Sequence, residues 1–250
     1  MKYFAKIRYL GNDFCGFQVQ PNCRTVQGEL NIASEKLFGC ACNITGCSRT
    51  DSGVHANEFC MTIEPLGEKI PSIPPEKLAK AFSTVLPSDL SLYYAEEADD
   101  DFHARYSSKG KEYIYRIYNA EVTNPFFEKR AWQIQRKITQ EGFLNMKKAA
   151  GYFLGKHDFS AFMSANSDAQ DTVRTVFDCS LEKNDDEIIF SVSADGFLYN
   201  MVRIMVGTLV QVAFKNIDAD EIPFIIESGK RENAGMTAPP EGLYLNRVFY

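Results

Sequence analysis

The stretch from Phe197 to Phe214 constrains this chain most: it is apolar on nearly all sides, with Asn200, Arg203 and Gln211 set into it. Those polar groups do not suit a membrane span, so the reading is a long helix buried in the protein core. A helix apolar all round must be covered by the rest of the chain, and the remaining pattern says by what.

A strand is predicted at 3–9, closed by the turn Leu10-Gly11-Asn12-Asp13. A helix follows at 25–38, with Val26, Leu30, Ala33 and Leu37 on one face. Then come a strand at 58–63, a connector at 71–75, a helix carrying Leu78, Ala81, Phe82 and Val85, and a strand at 91–95. The acidic run 96–101 is the expected boundary between domains 1–101 and 102–250. Beyond it the pattern gives a strand at 112–118 with Tyr113, Tyr115 and Ile117 on one face, another at 130–135, and a helix at 139–154. Two strands, 173–181 and 187–193, are joined by Asn184-Asp185-Asp186. The apolar helix, a short helix at 222–227 and a strand at 243–249 complete the chain. Each half runs strand, helix, further strands. That order predicts an α+β fold of two related units with antiparallel sheets rather than alternating βα units.

With 250 residues, 45% hydrophobic and 24% charged, the chain has globular composition, which excludes disorder and low complexity. The seven cysteines are an odd number, and the charged opening Met1-Lys2-Tyr3-Phe4-Ala5-Lys6 is no secretory leader, so free thiols in the cytoplasm are expected. Cys40, Cys42 and Cys47 stand near His55, but their spacing fits no common zinc pattern, and no metal is expected. No P-loop or glycine-rich dinucleotide fingerprint is present, so no cofactor is implied.

The densest polar segment is Cys47-Ser48-Arg49-Thr50-Asp51-Ser52-Gly53-Val54-His55-Ala56. A carboxylate with a guanidinium two residues away and small neighbours can serve as nucleophile or general base. It can equally be a turn in which Asp51 caps backbone amides. Arg203, inside the apolar helix, must be answered by a carboxylate or carbonyl, since an unpaired buried charge costs several kcal/mol. Asp51 is one candidate; a different acid, or a guanidinium snorkelling to the surface, is the other reading. Tyr113 can stack on a ring or simply fill a sheet core. His103, Arg105, Lys109 and Lys111 form a basic stretch that suits phosphates, or a solvated loop.

These residues, taken in order, resemble the tRNA pseudouridine synthase A (TruA) family. The resemblance rests on Tyr9-Leu10-Gly11-Asn12-Asp13-Phe14-Cys15-Gly16-Phe17-Gln18 with Thr25-Val26-Gln27; on Arg49-Thr50-Asp51-Ser52-Gly53-Val54-His55-Ala56; and on Phe102-His103-Ala104-Arg105 with Lys111-Glu112-Tyr113. It continues through Gly155-Lys156-His157-Asp158-Phe159-Ser160-Ala161-Phe162, then Asn200-Met201-Val202-Arg203 with Val206-Gly207, and Thr237-Ala238-Pro239-Pro240-Glu241-Gly242-Leu243-Tyr244-Leu245. It implies a pseudouridine synthase fold, two α+β units around a central active-site cleft. It also implies conversion of uridine to pseudouridine at positions 38, 39 and 40 of the tRNA anticodon stem-loop by a cofactor-free homodimer. Carried over by position, Asp51 is the nucleophile or base, Tyr113 stacks on the target base, Arg203 pairs with Asp51, and Arg49 holds the flipped nucleotide; Arg105 joins the substrate-binding set. Ser48, Phe17 and Glu112 depart from the family's usual residues without removing a catalytic group. The competing readings are a catalytically silent or retargeted tRNA-binding paralogue, and a glycoside hydrolase. The hydrolase usually needs a second carboxylate, which the Asp51 loop lacks.

The net charge of −6 runs against an RNA role. Three acidic clusters, 96–101, 182–187 and 218–221, hold 12 acids and one lysine; the rest of the chain carries 21 acids and 26 bases, or +5. The expectation is therefore acids lying away from a basic cleft that holds Asp51.

Overall fold

A computed structural model describes residues 1–67, 73–165 and 169–250. In chain order the elements are β1 (Lys2–Tyr9), α1 (Val26–Phe38), β2 (Cys42–Gly46), β3 (His55–Pro65), α2 (Pro75–Phe82), β4 (Leu90–Ala98), β5 (Gly110–Tyr118) and β6 (Trp132–Gln133). They continue with α3 (Gln140–Gly151), β7 (Gly155–Asp158), β8 (Val173–Asn184), β9 (Glu187–Ala194), α4 (Met201–Ala213), α5 (Ile222–Ser228) and β10 (Leu243–Phe249). The fold is mixed α+β with mostly antiparallel strand pairing, as the element order predicts.

The chain forms two compact units, Met1–Lys109 with Tyr244–Tyr250, and Gly110–Leu243. The division falls eight residues beyond the acidic run, because Glu96, Glu97 and Ala98 extend β4, pairing with Phe4, Tyr3 and Lys2 of β1. The connector at 71–75 lies partly outside the described residues.

In the first unit the strands run β4-β1-β3-β10, with β2 on β3. Antiparallel pairing joins β1 to β3 and β4, while β10 lies parallel to β3 at Tyr244↔His55 and Leu245↔Ala56. Successive residues of a strand face opposite ways. Tyr3, Ala5, Ile7 and Tyr9 of β1 are accordingly all buried, with Tyr3 against Phe38 of α1 at 5.7 Å between ring centroids. Helix α1 starts where expected: Thr25 accepts the Gly28 N–H at 3.2 Å, and Gly39, at φ +68°, stops it.

In the second unit the order is β5-β9-β8-β7, antiparallel throughout, with β6 parallel to β5. The turn Asp185-Asp186 joins β8 to β9, with Asp185 at φ +53°. Tyr113, Tyr115 and Ile117 share the buried face of β5. Helix α4 is buried nearly all round, from Met201 to Ala213. It begins four residues later than the apolar run, because Asn200 sits at φ +61°, outside helical backbone, and caps the helix by accepting the Ile204 N–H.

Three other expectations shift. The strand expected at 130–135 shrinks to β6: Ala131 and Ile134 are both buried, a spacing of three that two-residue alternation cannot provide. β2 is added, in the cysteine cluster; its Ile44 pairs with Ile63 and is buried. β7 is added, at the head of the segment 155–162. All seven cysteines are free, and the described residues contain no group of three His, Cys, Asp or Glu side chains placed to hold a metal ion. No described helix is long and apolar enough to cross a membrane.

Two of the acidic clusters are answered locally. Lys137 reaches Asp186 at 3.0 Å, while Lys148 and Tyr152 both bind Asp220, at 2.7 and 2.6 Å.

Candidate active site

Asp51, Arg49 and Arg105 belong to the first unit; Tyr113 and Arg203 belong to the second.

The Asp51 loop joins β2 to β3. Cys47 closes its base by donating its N–H to Cys60 at 2.9 Å. Asp51 itself is half-buried at the head of a tight turn: its carbonyl accepts the Val54 N–H at 3.2 Å, and Gly53 stands at φ +81°. A positive φ at the third residue is what a type II turn demands, and glycine adopts it without steric cost.

That turn is seated on the segment following β1. Thr50, buried, shares a 2.7 Å hydrogen bond with the Tyr9 hydroxyl, and its carbonyl accepts the Phe17 N–H at 3.0 Å. The Ser52 hydroxyl donates to the Phe14 carbonyl at 3.2 Å. Gly11 has no room for a Cβ, which would land on the Val54 carbonyl, and its N–H donates to His55 Nδ1 at 3.0 Å. His55 is fully buried and stacks on Tyr244 at 4.4 Å. Accepting at Nδ1 makes it a neutral, packed histidine. Phe17 stacks on Phe59 at 4.4 Å under Gly46, where a Cβ would strike both rings. The first two motifs of the sequence are thus one interlocked body, and the Asp51 backbone is held from several directions.

Arg49 is exposed and has no acidic partner among the described residues. Arg105 is likewise exposed, on the segment that leads out of the first unit, with its guanidinium 5.9 Å from the Tyr106 ring.

In the second unit Tyr113 is buried and meets Phe197 edge-on at 5.0 Å. Its neighbour Tyr115 is fully buried and donates to the Pro239 carbonyl at 2.7 Å. Burial drives the Tyr115 phenol well above its ordinary range; Glu241 adds to this, and the Arg203 charge opposes it. Arg203 Nε donates to the Ala238 carbonyl and Nη1 to Asn200 Oδ1, both at 2.7 Å. The Ala238 N–H returns to the Arg203 carbonyl at 3.1 Å. Gly207 presses against the Met236 carbonyl, and the Gly235 N–H donates to Thr208 at 2.9 Å. The fifth and sixth motifs therefore interlock as the first two do. The need for an answering group at Arg203 was legible; Asn200 and Ala238 were not named. Asn200, three residues upstream on the same face, was the available signal.

In the first unit, a half-buried carboxylate on a glycine-seated loop is a group suited to nucleophilic or general-base chemistry. In the second, Arg203 is fixed by the Ala238 carbonyl and Asn200, and its charge is felt at Tyr115. Comparison with known proteins bears on which chemistry. The family model described as tRNA pseudouridine synthase matches residues 5–107 and 149–250. The tRNA pseudouridine synthase A of Acetivibrio thermocellus is 46% identical over 245 residues, covering 98% of this chain and 97% of that one. The protein of that name from Clostridium botulinum is 47% identical over 244 residues, with the same coverage. That of Halalkalibacterium halodurans is 40% identical, covering 97% of this chain and 90% of that one. Among solved structures, a chain of a Cbf5-Nop10-Gar1 complex aligns at 11% identity and a TM-score of 0.36, over 97% of this chain and 57% of that one; this likeness is too distant to add to the family match. With a family match over both units and relatives alike from end to end, the chain belongs to the tRNA pseudouridine synthase family.

Proposed function

We propose that this enzyme converts uridine to pseudouridine at positions 38, 39 and 40 of the tRNA anticodon stem-loop, with Asp51 as the group that opens the glycosidic bond. End-to-end identity with the synthases, together with the presence of Asp51, Tyr113 and Arg203, carries this reading. A stem base must first leave the helix, at a cost of a few kcal/mol. The Asp51 carboxylate then attacks C1′ or removes the C2′ proton. The N1–C1′ bond breaks, the uracil turns, and C5 bonds to C1′ as Asp51 leaves that carbon or the C2′ proton is returned; C5 then loses its proton and N1 takes one up, so that substrate and product are isomers. Tyr113 offers a stacking face, which holds a detached ring without fixing its rotation. The resemblance makes Arg203 the partner of Asp51, and Arg49 and Arg105 contact the RNA. No cofactor enters this scheme. The enzyme works on tRNA in the cytoplasm as a homodimer.

The test is incubation with unmodified tRNA followed by chemical mapping of pseudouridine. The expected product lies at positions 38 to 40. Asp51→Ala should abolish it while tRNA binding stays within a few-fold of wild type. Full activity in that variant, or no product with wild type, overturns the proposal; tRNA binding without product would favour the silent paralogue.

A further inference from the structure

The segment joining the first unit to the second is built in an unusual way. Phe102 and Ala104 plug into the first unit: Phe102 packs edge-on against Phe4 at 5.4 Å and against Tyr250 at 5.2 Å, and the buried Ala104 accepts the Tyr250 hydroxyl at 2.7 Å. Between and beyond them the backbone is tied down. His103 Nδ1 accepts the N–H groups of Arg105 and Tyr106, at 3.1 and 3.3 Å. The Ser107 hydroxyl accepts the His103 N–H at 3.1 Å, and the Ser107 N–H returns to the His103 carbonyl at 2.9 Å. Lys109 closes the segment by donating its N–H to Phe249 at 2.8 Å.

All this restraint ends in one exposed ring. Tyr106 is 77% exposed, backed on one side by the His103 imidazole at 4.3 Å. Arg105 and Lys109 flank it, exposed and without acidic partners among the described residues. A ring left in water by a segment this firmly held gains nothing from burial. A rigid, solvent-facing ring with free cations on either side matches what a single nucleotide presents: a flat base to stack, and phosphates to pair.

We propose that Tyr106 is a docking ring for an unpaired base of the RNA substrate, away from the reacting uridine, with Arg105 and Lys109 on the adjoining phosphates. This rests on the tRNA reading above. The stack fixes the RNA's position and takes no part in the chemistry. Unpaired bases suit such a site because, freed from a helix, they can be splayed out and stacked on an aromatic side chain.

The test compares wild type, Tyr106→Ala and Tyr106→Phe for binding of a labelled, unmodified anticodon stem-loop RNA and for steady-state pseudouridine formation. Tyr106→Ala should weaken binding and raise KM by about 5- to 100-fold, with kcat within about twofold. Tyr106→Phe, which keeps the ring, should stay near wild type. Unaltered thermal unfolding of both variants will exclude a folding defect, as the exposure of the side chain leads one to expect. If Tyr106→Ala binds and reacts like wild type, or Tyr106→Phe loses as much as Tyr106→Ala, the docking role is wrong while the tRNA reading stands. A wild-type protein that binds no stem-loop RNA overturns both.

Discussion

Gly16 and Thr50 touch backbone to backbone: a Cβ on Gly16 would lie 2.7 Å from the Thr50 carbonyl oxygen, and Gly16 already stands at φ +93°. The Asp51 loop rests on that contact. Gly16→Ala therefore combines a left-handed alanine with a clash against backbone that cannot yield cheaply, and should cost about 3 kcal/mol or more. Gly39→Ala is the matched control: its φ of +68° imposes similar strain, but nothing lies within 4 Å of the new methyl. It should cost about 1–2 kcal/mol. Urea denaturation checks the stability difference, and pseudouridine formation at a temperature where both are folded should fall only in Gly16→Ala. Equal stabilities would mean that the contact is not what holds the loop.

Arg49 is exposed and two residues from Asp51, with no acid among the described residues to hold it elsewhere. A guanidinium on RNA phosphate releases about one counterion, so Arg49→Ala should lower the slope of log binding constant against log salt by about one unit. Titrations of stem-loop RNA at several salt concentrations measure it. An unchanged slope would place Arg49 off the phosphates.

Alkaline pH should unfold the protein early. Burial pushes the Cys42 thiol up to about 11, with Cys40 contributing, and burial pushes the Tyr93 phenol up to about 12, with Glu58 contributing. Burial also raises Cys60, Tyr115 and Tyr250. Unfolded thiols and phenols ionise near 9.0 and 10.0, whereas the folded protein keeps these protons. Their contribution is complete below about pH 9 and drains away as the unfolded chain begins to release protons. Melting temperature should be flat near neutrality and fall steadily above about pH 9. Cys60→Ala, measured against its own neutral-pH value, should show a shallower early decline. A flat profile to pH 11 would contradict the buried-proton account.

The sequence made the helices and paired strands of both units legible where burial follows a clean period: α1, α3, β5 and the β8–β9 hairpin all stand within a few residues of their expected places. It failed where a backbone conformation or a partner strand decides. Asn200 at φ +61° delays α4 within the apolar run, and β2 is a five-residue strand too short to stand out until β3 offers it an edge. The candidate catalytic loop was visible as a cluster of polar and small residues. Its dependence on Gly11 and Gly16 was not, since that is a matter of which two backbones meet. Arg203 was expected to need a carboxylate or carbonyl, and Ala238 supplies a carbonyl; which carbonyl it would be, and that Asn200 would join it, could only come from the fold.

The return of Tyr244–Tyr250 to the first unit has a temporal consequence. During synthesis the ribosome makes every residue of the second unit before the strand that completes the first. Until then His55 lacks its stacking partner Tyr244, and Ala104 lacks the Tyr250 hydroxyl. Pairings so distant in sequence form slowly. The unit that bears Asp51 begins first and is finished last, so a nascent chain cannot present a completed Asp51 unit to tRNA while the second unit is still being made.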